Sequence, residues 1–186
     1  MRFLFTAIVL PAALMAAGCG KPQEPAGGME KAAETSVEAG PAAAPGYVKG
    51  PTHFDLPGHK GGRLDLAAYA GKPVMVMFFT ETCPYCRKAA PFVQSIHDGY
   101  GAKGLAVMAA AHESEAAPAA RFVKDFGITF PVAYDAADTA RAYQTRGVPY
   151  IFLLDREHKV HDVWAGYDPS FDKEIKASIE EILGKN

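Results

Sequence analysis

A chain of 186 residues with 49% hydrophobic and 22% charged side chains has room for one ordinary globular domain with a real core, plus some non-globular sequence. The formal charge of -2 is spread without a long basic run, which excludes a nucleic-acid partner. Three cysteines are too few for a disulfide scaffold and fall in two contexts, Cys19 alone and Cys83 with Cys86.

Arg2 is followed by an apolar stretch from Phe3 to Ala17, too short to span a bilayer comfortably and flanked like the hydrophobic region of a secretory signal. It ends Leu14-Met15-Ala16-Ala17-Gly18-Cys19, which resembles a bacterial lipoprotein signal: small residues precede a cysteine that is lipidated and becomes the mature N-terminus. Ala16 departs from that pattern, where a Leu is usual, and the alternative is an ordinary signal cut nearby. Both readings export the protein. Residues 1–18 are therefore expected to be a signal peptide. Residues 19–46, rich in Ala, Gly, Pro and Glu, cannot bury enough surface to offset chain entropy and are expected to form a flexible tether. A tether of about 27 residues holds a domain on the order of 30 Å from its anchor. The folded domain is expected over residues 47–186, as a monomer.

Within it, Thr52 to Leu56 and Arg63 to Leu66 flank a Pro/Gly-rich turn and predict an edge hairpin. Val74 to Phe79 is a continuous apolar run of strand length, as a central strand buried on both faces requires. From Pro84 the pattern becomes helical, so Cys83 and Cys86 open a helix. Leu105 to Ala111 reads as the next strand and Glu115 to Phe126 as an amphipathic helix ended by Gly127; this crossover implies parallel pairing. A short strand at Phe130 to Tyr134 and a short helix at Thr139 to Tyr143 follow. Tyr150 to Leu154 and Val160 to Trp164 then form an antiparallel hairpin, and Pro169 to Leu183 a last helix. The order is that of an α/β domain with a mixed sheet and helices on both faces.

Cys83-Pro84-Tyr85-Cys86 at a strand-to-helix junction carries the chemistry. Unpaired N–H groups and the macrodipole at a helix N-terminus stabilise a thiolate, which makes Cys83 the attacking thiol. Two intervening residues place Cys86 one turn inward, where it can resolve a mixed disulfide. Pro84 suits the first helical turn, where its missing N–H costs nothing. Tyr85 and Glu81 are candidates for tuning the site, Glu81 by opposing the helix end. Gly147-Val148-Pro149 precedes a strand, and a cis Val148–Pro149 bond would present the Val148 backbone to a docking substrate. CxxC also supplies two zinc ligands or a structural bond. Zinc wants four ligands, and His97 and His112 are isolated; a loop this short is a poor staple.

Gly71-Lys72-Pro73, Phe78-Phe79, Cys83-Pro84-Tyr85-Cys86-Arg87-Lys88, Pro91 and Gly147-Val148-Pro149 together resemble the TlpA/ResA-like family of extracytoplasmic thioredoxin-fold oxidoreductases, over about Val48 to Leu183. The resemblance implies a thioredoxin-like fold with an N-terminal hairpin and an inserted helix at Glu115 to Phe126. It also implies a redox-active Cys83–Cys86 disulfide and exchange with disulfide-bearing exported proteins, apocytochrome c among them, fed by a membrane electron donor. Neither a cofactor nor a metal is expected. Three positions depart from the family pattern: Thr82 stands where an aromatic residue is usual, Ala89 where many members carry Glu, and Met77 where thioredoxin buries an acid. The last two remove both familiar proton acceptors and weigh against a strongly reducing role. A disulfide oxidase or isomerase, or a copper-binding module with His112 near the thiols, are the alternatives; a peroxidase lacks an evident peroxidatic motif. Phe92, Phe122, Phe126 and Trp164 read as core, and His53, His59, His158 and His161 as solvated turn or strand-end residues.

Overall fold

The computed structural model describes residues 47–184. The expected signal segment 1–18, the lipidation candidate Cys19 and the tether 19–46 lie outside the described residues.

All six side chains of β3 (Val74–Phe79) are buried. Alternation along a strand sends Met75, Met77 and Phe79 to one face of the sheet and Val74, Val76 and Phe78 to the other, and each set joins its own core cluster. That two-sided burial is why the sequence here is apolar without interruption. β3 pairs in parallel with β4 (Ala106–Ala111) and antiparallel with β6 (Tyr150–Leu154). β5 (Val132–Ala133) and β7 (Val160–Ala165) complete a five-stranded mixed sheet in the order β5-β4-β3-β6-β7. A separate antiparallel pair, β1 (Asp55–Pro57) with β2 (Arg63–Asp65), forms the expected N-terminal hairpin.

The Phe79 face is covered by α1 (Pro84–Tyr100), α2 (Ala116–Phe126) and α4 (Asp172–Gly184), through Ala89, Ala90, Val93 and Ile96, through Phe122, and through Ile175, Ile179 and Ile182. Alanines on both α1 and β4 keep the surfaces between them small. The Phe78 face is covered by the hairpin, through Leu56 and Leu64, by Leu66 in the short helical turn just after it, and by α3 (Ala137–Ala142), through Ala140. Burying a side chain the size of Phe or Leu contributes about 1.5–3 kcal/mol, so this central strand is a main source of stability. The result is a thioredoxin-like α/β fold, as expected.

Element positions differ from expectation where tertiary contacts decide. β5 shrinks to two residues because Pro131 has no N–H to give a neighbouring strand. Phe92, Phe122 and Trp164 are core, whereas Phe126 is only partly buried. The histidines expected in solvent are not there: His53, His59 and His161 are half-buried, and His158 is 2% exposed. The His158 ring lies between Tyr47 and the start of β3, with Nδ1 3.1 Å from the Tyr47 hydroxyl and Nε2 3.2 Å from the Tyr69 carbonyl. A carbonyl only accepts, so Nε2 carries the proton and the Tyr47 hydroxyl donates to Nδ1. Burial holds its pKa below the ordinary value.

Candidate functional site: a dithiol at the end of the central strand

β3 ends at Phe79, and the chain turns through Thr80, Glu81 and Thr82 before α1 begins at Pro84. Cys83 is the N-cap residue of α1, with extended backbone (φ -67, ψ 118), so the first free N–H groups of the helix converge on it. The amide of Cys86 donates to Cys83 Sγ at 3.2 Å, and the Cys83 thiol lies 3.5 Å from the Val148 carbonyl oxygen, to which it donates. A sulfur that accepts from a helix N-terminus is where that helix stabilises negative charge. Cys83 is partly exposed and Cys86 buried. Burial first, and then the adjacent Cys83 sulfur, push the Cys86 thiol well up from its ordinary range.

The candidate residues from the sequence come together around this pair. Pro84 is at the first helical position. Tyr85 is 57% exposed between the cysteines, with the Lys88 ammonium 5.3 Å from its ring centroid. Val148–Pro149 is a cis peptide; Pro149 is buried, and Val148 turns its carbonyl to Cys83. Glu81 is nearby but is not a free charge, since Arg121 of α2 donates to both of its carboxylate oxygens, at 2.6 and 2.7 Å. The Arg121 guanidinium holds the Glu81 carboxyl below the usual carboxylate range. Cys19 lies outside the described residues.

Sequence reasoning missed Arg121 and Glu113. Glu113, just after β4, accepts the Glu81 backbone N–H at 2.8 Å. Nothing local marks either residue as a partner of the thiol turn; an acid beside a CxxC with a basic residue on the inserted helix is the one signal that could have prompted the search. Met77 and Ala89, where an acid would sit, are both fully buried among apolar side chains. His112 packs its ring on Phe78, a side chain of the sheet face opposite Cys86. Among the described residues no group of three or more His, Cys, Asp or Glu side chains is placed to hold a metal ion.

Comparison with known proteins gives the chain a context. The family model described as AhpC/TSA family matches residues 49–163. The thiol-disulfide oxidoreductase ResA of Geobacillus kaustophilus is 28% identical over 80% of this chain and 80% of its own. ResA of Bacillus thuringiensis is 28% identical over 68% of this chain and 70% of its own. A crystal structure from Chlorobium tepidum, assigned as a DsbE thiol:disulfide interchange protein, superposes with a TM-score of 0.67 at 29% identity, over 80% of this chain and 100% of that one. A secreted disulfide oxidoreductase from Mycobacterium tuberculosis shares the fold, with a TM-score of 0.61 at 18% identity over 70% of this chain and 97% of that one.

Proposed function

We propose that this chain, which belongs to the AhpC/TSA family and is a thiol-disulfide oxidoreductase of the TlpA/ResA-like kind, is exported, held at a membrane through lipidated Cys19, and reduces disulfides in other exported proteins. The observation that carries the site assignment is the position of Cys83: its sulfur caps α1, is partly exposed, and lies against the Val148 carbonyl, while Cys86 is sealed beneath it.

In the proposed reaction the Cys83 thiolate attacks one sulfur of a client disulfide. A Cys83–client S–S bond forms, the client S–S bond breaks, and the departing client thiolate takes up a proton. Cys86 then loses its proton and attacks Cys83 Sγ, forming the Cys83–Cys86 disulfide and releasing the second client thiol. Two electrons have passed to the client, and a dithiol donor at the membrane returns the pair to its reduced state. Val148 supports docking, since a partner backbone laid beside Cys83 would run next to the partly exposed Gly147–Val148 backbone. Apocytochrome c, with cysteines that must be reduced before haem attachment, is one client class such chemistry serves. Among the described residues no helix is long and apolar enough to cross a membrane.

Direction of electron flow is read from the reduction potential of the Cys83–Cys86 couple, equilibrated against a dithiol buffer. A value near or below roughly -250 mV, close to thioredoxin's, supports a reductase. A value in the roughly -120 to -180 mV range of the oxidising thioredoxin-fold proteins overturns that direction in favour of an oxidase or isomerase.

A further inference from the structure

The turn that carries Cys83 is fastened from outside its own helix. Thr80 O accepts the Cys83 N–H at 3.3 Å, which makes Glu81 and Thr82 the central residues of the turn. The Glu81 backbone is held by Glu113, and its carboxylate by the two-pronged guanidinium of Arg121. One helical turn along α2 from Arg121, Asp125 takes a bond from Arg87 of α1 at 3.2 Å, and the Arg87 guanidinium lies 4.8 Å from the Phe126 ring centroid. Beneath these pairs, Phe79 and Phe122 meet with ring centroids 4.3 Å apart. The inserted helix thus grips the thiol turn by charge above and by aromatic packing below.

The exchange chemistry described so far uses none of the charges on α2. A carboxylate two residues before an attacking thiolate repels the charge that the helix N-terminus favours, unless something compensates it. We propose that Arg121 is a positioning residue for thiol-disulfide exchange: by pairing with Glu81 it fixes the turn before Cys83 and cancels the field of the carboxylate at the sulfur. The inserted helix then bears on how readily the Cys83 sulfur attacks. This rests on the reading of Cys83 as the attacking thiol.

The proposal fixes signs. Removing Arg121 leaves Glu81 uncompensated, so Cys83 should react more slowly at neutral pH. Removing Glu81 leaves Arg121 uncompensated, so Cys83 should react faster. Glu113, Arg87 and Asp125 stay in place throughout and are a common background. Loss of contact alone would disturb the turn in the same sense for both variants, whereas loss of compensation moves them in opposite senses.

The test is the rate of iodoacetamide alkylation of the reduced full-length protein as a function of pH, with the modified residue identified by peptide mass. It compares wild type, Arg121→Gln, Glu81→Gln, the double variant and Arg121→Lys, at low and high salt. The expected result at pH 7 and low salt is a slowing of about two- to fivefold for Arg121→Gln and an acceleration of similar size for Glu81→Gln. The double variant and Arg121→Lys should return close to wild type, and high salt should compress the differences. Unchanged profiles, or shifts of the same sign in the two single variants, overturn the role of Arg121 and leave the exchange mechanism standing. If, within the CxxC pair, wild-type alkylation falls on Cys86 rather than Cys83, the site reading fails as well.

Discussion

Cys86 is fully buried beneath Cys83, in the same apolar cluster as Met77 and Ala89. Burial pushes its thiol up, so only a small fraction is thiolate at neutral pH, and that fraction grows as pH rises. The resolving step should therefore accelerate close to tenfold per pH unit between pH 7 and 9. Single-turnover release of the second client thiol from a preformed Cys83 mixed disulfide measures it; a flat profile would mean that another group takes the proton. A different residue-scale cost is set by packing. Phe122 is completely buried, against Phe79 on one side and Phe126 on the other at 4.9 Å between ring centroids. Phe122→Ala removes the ring that attaches α2 beneath the thiol turn and should lower unfolding stability by about 3–5 kcal/mol in a urea titration.

Among the elements, β3 and the start of α1 were legible because their causes are local. A strand buried on both faces must be apolar at every position, and a proline just inside a helix start marks its own location. α2 was legible for the same reason, its apolar stripe and Gly127, with φ +61, setting both its face and its end. What could not be read was pairing across distance. Glu81 and Arg121 are 40 residues apart, and their bond depends on how α2 docks, which no spacing rule encodes. His158 looked like a solvated turn residue because the loop around it is polar. Its burial comes from Tyr47 and Tyr69, more than eighty residues away in each case, which close over the β6–β7 turn.

That turn has its own consequence. Burial lowers the pKa of His158 and also that of His53, whose ring is 5.7 Å from Tyr47. A histidine held neutral in the fold takes up its proton more readily when unfolded, so its contribution is complete above the unfolded value of 6.5 and is lost as pH falls below it. Asp155, Asp65 and Lys49 modulate the same cluster without reversing the direction. Melting temperature should drop between pH 7 and pH 5. His158→Asn, which tolerates the positive φ of 58 at this position, should melt lower at pH 7 but show a shallower decline. Equal slopes for the two proteins would remove His158 from the explanation.

On the scale of the whole molecule, the thiols and the point where residues 1–46 join the domain lie at opposite ends of the central strand. Cys83 follows the Phe79 end, whereas Tyr47 sits on His158 in the turn beside Leu154, which pairs with Val74 at the other end. Six residues of strand set them about 20 Å apart along that axis. Among the described residues, both core clusters are built from side chains between Phe54 and Leu183. The contacts of Cys83 and Cys86 lie within the domain, so removing residues 1–46 should leave the rate of exchange with a soluble disulfide within about twofold of the full chain, measured by thiol release; a larger loss would give the N-terminal segment a part in the chemistry.

The division of labour between the two cysteines is tested most directly by trapping. Cys86→Ser, incubated in its reduced form with a disulfide-bearing client protein, should accumulate a covalent complex joined through Cys83 and sensitive to dithiothreitol, while Cys83→Ser accumulates none. A complex joined through Cys86 in the Cys83→Ser protein, or none in either variant while the wild type still reduces the client, would contradict the assignment of Cys83 as the attacking thiol and Cys86 as the resolving one.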